Sequence, residues 1–418
     1  MTVFDSVCLP YHCVWRCHLI PSNLYSPRMD LLFQTMTRLD RWYTNPKLAR
    51  KAPEIADFLF GNPHDMPLPG FVAALQTWSQ PQSPDWFAYF SGQEHARAVV
   101  AQSLTAQFDR PYSPADIFMT NGAFGALAVV LDALVGPGDE VIFNLPPWFF
   151  YEGMILHAGG TPIRVSVNPT TFDLDVDAIA AAITPHTRAI IVNSPNNPTG
   201  KIYPPATLHA LANVLATASQ RHGRPIYLIS DEAYRRIVFD NQRYPSPTSY
   251  YANSIMVYTY GKTLLTPGER LGYLALSPEM THREALRAPI DTAQTFTGLA
   301  IANSLLMHGL ADLEALTVDI PQLERRRNRL VDMLQSLGYS VHSPEGSFYL
   351  FPRSPWDNDW AFCEVLADHD VFCLPGSVFE MPGHFRLSVT ASDTMIEQAN
   401  LGFAAAMHQA RRSVPNAP

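Results

Sequence analysis

The residues best suited to chemistry are Lys262 and Arg270. Lys262 follows the apolar run Ile255-Met256-Val257-Tyr258, which reads as a buried strand and delivers Thr259, Gly261 and Lys262 into a turn. Burial disfavours the ammonium form and lowers its pKa, and a neutral amine can condense with an aldehyde to a Schiff base. Arg270 lies eight residues further on, just before Leu271-Gly272-Tyr273 opens a second short strand. A guanidinium keeps its charge and suits a permanent anion such as a phosphate. Amine and anion clamp together would serve a phosphorylated aldehyde. Lysine after a strand is, however, commonly a solvated loop residue. A nucleotide-binding P-loop is excluded, because Gly261-Lys262-Thr263 has Met256 where that motif needs its first glycine.

Further segments bear on the same chemistry. Asn121-Gly122-Ala123-Phe124 leaves a strand and enters a helix, where free backbone N–H groups make an anion cradle. Small residues at a helix start also serve simple packing. Asn193-Ser194-Pro195-Asn196-Asn197-Pro198-Thr199-Gly200 follows an apolar strand, and its prolines and glycine give a rigid turn able to aim an Asn side chain inward. Ser230-Asp231-Glu232-Ala233-Tyr234 follows another. A carboxylate there needs a cation, such as a protonated pyridine nitrogen, unless it merely caps the next turn. Phe385-Arg386-Leu387-Ser388-Val389 sets an arginine inside an alternating strand, either as a bidentate grip on a carboxylate or as a structural pair.

The elements that must position these residues follow from periodicity. Residues 29–45, 68–78 and 92–108 carry helical spacing, and 57–60 reads as a strand closed by Gly61-Asn62-Pro63. From Ile117 a strand and helix rhythm begins. Strands are predicted at 117–120, 140–143, 163–167, 189–192, 226–229 and 255–258, with helices at 126–135, 148–157, 176–183 and 208–218. Short loops between them imply a mostly parallel sheet of an α/β fold covered by helices on both faces. Ligands of such sheets bind at the carboxyl ends of the strands. Past Leu276 the pattern is helical, with one long stretch at 313–337. It then becomes mixed, with strands at 347–351 and 385–389 and helices at 360–368 and up to about 411. The expected division is an N-terminal extension (1–28), the N-terminal part of a small domain (29–60), a large domain (61–300) and a C-terminal small α+β domain (301–418).

Composition removes several classes of function. A chain of 418 residues with 47% hydrophobic and 16% charged residues is ordinary for a globular protein, and no apolar run is long enough to span a bilayer. A net charge of -9 argues against nucleic acid and anionic membranes as partners. Five cysteines are too few for a disulfide scaffold; Cys8, Cys13 and Cys17 crowd beside His12 and His18, but their spacing fits no zinc pattern, so no metal is expected. Residues 1–27 lack a basic n-region and a small-residue cleavage site. They are expected to be a poorly ordered extension, as is the tail from Ser413, and the expected compartment is the cytoplasm. No Gly-x-Gly-x-x-Gly follows a strand, which disfavours a nicotinamide dehydrogenase.

Asn196-Asn197-Pro198-Thr199-Gly200, Asp231-x-Ala233-Tyr234, Lys262 with Arg270, and Arg386 occur in this order. Together they resemble the class I/II aminotransferases of pyridoxal-phosphate fold type I, over about residues 61–386. The resemblance implies a large domain built on a seven-stranded sheet, and an amino group moved from an L-amino acid to a 2-oxo acid. It implies that Lys262 holds pyridoxal 5'-phosphate as an internal aldimine and moves the proton, and that Asp231 keeps the pyridine nitrogen protonated. Tyr234 and Asn197 would bond the ring's phenolic oxygen, and Trp148 would stack on the ring. The phosphate would lie against Gly122, Ala123, Phe124, Thr259 and Arg270. Arg386, with Gly61 and Asn197 beside it, would take the substrate α-carboxylate. A homodimer with active sites near its interface is implied as well.

The sequence departs from the family pattern in places. Gly261 stands where a serine usually precedes the lysine, Thr259 replaces the serine three before it, and Gly122-Ala123-Phe124 lacks a hydroxyl. The tyrosine that reaches the phosphate from the neighbouring subunit falls on Phe87, with Tyr89 as the alternative. Lyases, decarboxylases and cyclising synthases share the lysine, aspartate and arginine, and remain an alternative activity. A non-catalytic binding protein is a further one, disfavoured by retention of all these residues. Arg283 and Arg287 are candidates for binding a distal carboxylate, whereas Trp86, Phe87, Trp148 and Phe149 hint at an apolar side-chain pocket.

Overall fold

The computed structural model describes residues 25–50 and 52–413. Cys8, Cys13, Cys17, His12 and His18, with most of the expected extension and the tail from 414, lie outside the described residues.

A two-residue strand β1 (Ala56–Asp57) comes first in the chain. The main-sheet strands follow: β2 (Ile117–Thr120), β3 (Glu140–Leu145), β4 (Thr161–Ser166), β5 (Thr187–Asn193), β6 (Tyr227–Asp231), β7 (Ser254–Thr259) and β8 (Gly272–Leu276). Short strands β9 (Tyr349–Leu350), β10 (Val371–Phe372), β11 (Leu374–Pro375) and β12 (Phe385–Ser388) complete the set. The seven-stranded sheet has the order β2-β8-β7-β6-β5-β3-β4. All its pairings are parallel except those of β8, which runs antiparallel to β7 and to β2. The reason lies in the connection. Parallel neighbours need a long crossover, whereas residues 260–271 contain only the single turn Tyr260–Thr263 and bring the chain straight back.

Strand alternation sends side chains to both faces of this sheet. In β7, Ile255 and Val257 pack with Leu127 of the helix Gly122–Leu134 and Ile290 of the helix Arg283–Phe296. Met256 and Tyr258 turn to the other face, against Leu104 and Leu306. All four strand side chains are fully buried, worth roughly 1.5–3 kcal/mol for each large apolar one. This two-sided burial is why β7 reads as an unbroken apolar run.

The remaining strands gather the two ends of the chain. β1 pairs in parallel with β10, so Ala56 lies opposite Val371, and β12 sits between β11 and β9. Trp42, near the end of the helix Pro27–Tyr43, donates from Nε1 to the carbonyl of Cys373 at 2.9 Å.

Several expectations are corrected. The helix after β2 begins at Gly122, so Gly122, Ala123 and Phe124 form its first turn rather than a preceding loop. Of the early strand expected at 57–60 only Asp57 falls in the observed one, Ala56–Asp57, since β10 is itself two residues long. The long helical stretch is two helices, Leu310–Glu314 and Ile320–Ser336. Asp319 restarts the second by accepting from the Gln322 N–H at 2.8 Å, with proline in the first turn.

Candidate active site

Register brings the candidate residues to one edge. Asn193 at the end of β5 lies opposite Asp231 at the end of β6, while Thr259 and Thr120 both face Gly272. The carboxyl ends of β2, β5, β6 and β7 therefore share one side of the sheet. β12 and the segment after β1 supply the facing wall. A cavity of about 250 Å³ results, lined by Gly61, Ala123, Phe124, Trp148, Asn197, Asp231, Tyr234, Thr259, Lys262, Arg270 and Arg386. Gly122 lies just behind this lining, against Arg270.

Lys262 sits in the turn Tyr260–Thr263, where the strand core ends and the cavity begins. Its Nζ lies 6.0 Å from the Tyr234 ring centre and 5.7 Å from that of Phe348, and has no carboxylate or hydrogen-bond partner among the described residues. Burial pushes its pKa down; Arg386 and Arg270 push the same way, with Tyr349 and Asp231 opposing them. The result is an amine whose neutral form is within reach.

Asp231 is buried beside it. Tyr151 donates its hydroxyl to Asp231 Oδ2 at 2.5 Å and the Ala233 N–H reaches Oδ1 at 3.2 Å. Burial still raises the carboxyl above its ordinary range, and the lowering pull of these bonds and of Lys262 does not cancel it. A cation placed at this carboxylate would relieve that cost.

Three groups converge at the start of the helix Gly122–Leu134. A Cβ added at Gly122 would come within 2.7 Å of Arg270 Nη2 and 3.3 Å of Thr259 Oγ1, and the backbone there has φ of +78°. The position thus needs glycine for space and for conformation. Arg270 is anchored by the carbonyls of Pro267 at 2.6 Å and Asn121 at 3.3 Å, with no carboxylate partner among the described residues. Helix N–H groups, a hydroxyl and a guanidinium facing one space make a phosphate cradle. The missing serine at Gly261 has a packing reason: a Cβ there would meet Pro267 Cα and Thr266 O at 3.2 Å.

Arg386 is buried on the opposite wall. Nη1 donates to Asn197 Oδ1 at 2.9 Å and Nη2 to the Leu59 carbonyl at 2.7 Å, while Nε has no partner among the described residues. Its guanidinium lies 4.1 Å from the Tyr349 ring centre and 4.8 Å from that of Phe379. A buried cation held only by neutral acceptors is poised for an anion. Asn197 is fixed in turn by its N–H on Asn193 Oδ1 at 2.7 Å.

Some residues of the site were not legible in the sequence. Tyr349 shares a hydrogen bond with Tyr234; burial raises both hydroxyls, but Arg386 and Lys262 outweigh it at Tyr349 and bring that one down. Tyr349 is therefore the more acidic hydroxyl of the pair. A Cβ at Gly61 would lie 2.7 Å from Tyr349 Oη and closer still to Phe348 Cε2, which explains the glycine. Tyr349 and Tyr151 each become visible only once the fold sets them beside Gly61 and Asp231.

Other candidates do not reach the cavity. Arg283 and Arg287 both bind Asp116, with Arg287 Nη2 at 2.8 Å. Trp86 stacks on His308 at 3.6 Å, and Phe87 and Tyr89 are 56% and 83% exposed on the surface. Trp148 and Phe149 do line it, and Phe124 meets Trp148 edge to face at 5.1 Å.

Known proteins resemble the chain in sequence and fold. The family model for aminotransferase class I and II matches residues 55–400. A probable aspartate/prephenate aminotransferase of Thermus aquaticus is 30% identical over 368 residues, covering 86% of this chain and 94% of its own. The crystal structure of an amino transferase from Eubacterium rectale superposes with a TM-score of 0.83 at 28% identity, covering 94% of this chain and 99% of that one. The aspartate aminotransferase of Thermotoga maritima gives a TM-score of 0.78 at 27% identity, over 91% and 99%.

Proposed function

The chain belongs to the class I and II aminotransferase family and is an aminotransferase, and we propose that the cavity at the carboxyl edge of its sheet is where an L-amino acid gives its amino group to a 2-oxo acid, with Lys262 at the centre. The observation that carries this reading is a buried lysine without a partner, set between two arginines that no carboxylate neutralises among the described residues.

The family uses pyridoxal 5'-phosphate, and the residues present fit it. Arg270, Thr259 and the N–H groups of the turn Gly122-Ala123-Phe124 would hold the phosphate, Trp148 would form a wall for the ring, and Asp231 would pair with the pyridine nitrogen. Bound there, the cofactor supplies an aldehyde for amine exchange and a sink for the electrons released at the substrate's α-carbon. The chain's own groups do the rest. Arg386, oriented by Asn197 and the Leu59 carbonyl beside Gly61, binds the α-carboxylate and fixes which bond of the α-carbon faces Lys262. Lys262, favoured toward its neutral form, takes the α-proton on Nζ and returns it. Tyr151 orients Asp231, and Tyr234 places its hydroxyl at the cavity wall, where it would bond the ring's phenolic oxygen together with Asn197. Replacing Lys262 with Ala is expected to abolish turnover and the visible absorbance of the cofactor-loaded protein, with the circular dichroism spectrum unchanged. Surviving turnover would remove Lys262 from the centre of the reaction.

We extend the same reading to the molecule's organisation. Pairing of β1 with β10 supports a small domain made from residues 29–60 and 301–418, with 61–300 as the large one. Phe87, Tyr89, Phe90 and Phe296 are large apolar side chains left open to water, three of them within four residues of the chain. They support a homodimer with active sites near the interface, where Phe87 or Tyr89 could approach the partner's phosphate cradle. Sedimentation returning only a monomer would contradict it. Among the described residues no helix is long and apolar enough to cross a membrane, and the cytoplasm is the compartment we propose.

A further inference from the structure

We propose that the cavity selects an amino acid with a bulky, uncharged side chain, aromatic above all, rather than the dicarboxylate in the names of its relatives; this rests on the aminotransferase reading above. The charges lining the cavity come first. Among the described residues its cations are Lys262, Arg270 and Arg386, which are already engaged by the aldehyde, the phosphate and the α-carboxylate respectively. Within this chain's own lining no further cation is left for a second substrate carboxylate. Arg283 and Arg287, the other arginines the sequence offered, are paired with Asp116 outside the cavity.

Seven aromatic side chains also line the cavity: Phe60, Phe124, Trp148, Phe149, Phe150, Tyr234 and Tyr349. Phe60 adjoins Gly61 and stacks on Tyr43 at 5.0 Å with the rings 7° apart, so the helix Pro27–Tyr43 braces it. From Arg386 a series of rings runs through Phe379, buried behind the lining 4.8 Å from the guanidinium, to Phe149 at 5.6 Å, which does line the cavity. It continues through Phe150 at 4.7 Å and Phe124 at 5.2 Å. A substrate gripped by its α-carboxylate at Arg386 therefore directs its side chain along ring faces and edges. Such surfaces attract another ring through offset and edge-to-face contacts.

The space behind this wall fits the same class. Phe124 and Phe150 also bound a second cavity, lined by Leu32, Met36, Met154 and Leu299. Its carboxylate, Asp132, has the wrong sign for a dicarboxylate, and its His157 is turned to Arg28 at 2.7 Å. A bulky apolar group against these rings meets a mostly apolar lining on both sides of them, whereas an unpaired carboxylate would lose its water with nothing in return.

The test uses the holoenzyme. Rate constants for amino transfer to the bound cofactor are measured with phenylalanine, leucine, alanine, aspartate and glutamate. Binding of the unreactive 3-phenylpropionate and succinate is followed in parallel by calorimetry. Phenylalanine is expected to exceed aspartate by at least ~100-fold, the penalty of burying an unpaired carboxylate, and 3-phenylpropionate to bind more tightly than succinate. Phe60→Ala and Phe124→Ala, read separately, should each lower the phenylalanine-to-alanine ratio of kcat/KM about tenfold. The ratio cancels any common effect on the cofactor. Aspartate equal to phenylalanine, succinate binding more tightly, or unchanged ratios in both variants would overturn the proposal and leave the aminotransferase standing. No transfer from any donor would overturn both.

Discussion

Asp231 and Glu232 are adjacent buried carboxyls with different surroundings. Asp231 opens onto the cavity, where a cation can meet it. Glu232 is enclosed: Ser246 and Ser230 donate to Oε1 at 2.5 and 2.9 Å, and Oε2 has no partner among the described residues. Burial pushes its pKa from an ordinary 4.5 up to about 7, against the opposing pull of Arg235 and these hydroxyls. Because the folded-state value is raised, the stability present below about pH 4.5 is lost as pH rises toward 7. The loss is on the order of 3 kcal/mol. Glu232→Gln keeps an oxygen for both serines but cannot ionise. The unfolding temperature of the native protein relative to that of the variant should fall as pH rises across that range. Parallel curves would show that Glu232 does not ionise there.

At the scale of elements, the sequence was most legible where a buried strand ends in a polar residue. Asn193, Asp231 and Thr259 stand out because apolar runs stop at them, and the register of β5, β6 and β7 sets them on one edge. Orientation was harder. The antiparallel course of β8 depends on the short return through residues 260–271, which no periodicity reports. Helical spacing runs on through Val318, which packs in the core, so the break before Ile320 was hidden although Asp319 and Pro321 mark it. Asn121-Gly122-Ala123-Phe124 reads as a turn by composition but starts a helix, because Gly122 adopts the positive φ that bends the chain out of β2. Tyr151 and Tyr349 look like core aromatics in the sequence. Only long-range pairing, such as Ser388 opposite Tyr349 in β12 and β9, shows that they reach the site.

At the scale of the whole molecule, the cavity is a meeting of two bodies of structure. On the function proposed, the large sheet would supply the groups for the cofactor and the moving proton, Lys262, Asp231, Thr259 and the helix start at Gly122. The assembly built by β1, β10 and β12 supplies Arg386 and, just beyond β1, Phe60 and Gly61. Amino transfer needs both, since the proton is moved from one side while the carboxylate is held from the other. The most direct test is a visible absorption spectrum of the purified protein loaded with pyridoxal phosphate, recorded while an amino acid is added without any oxo acid. The band of the bound aldehyde form is expected to give way to that of the pyridoxamine form in proportion to the donor, and to return when a 2-oxo acid follows. Release of ammonia or carbon dioxide with the original band restored, and no pyridoxamine form, would contradict amino transfer at Lys262.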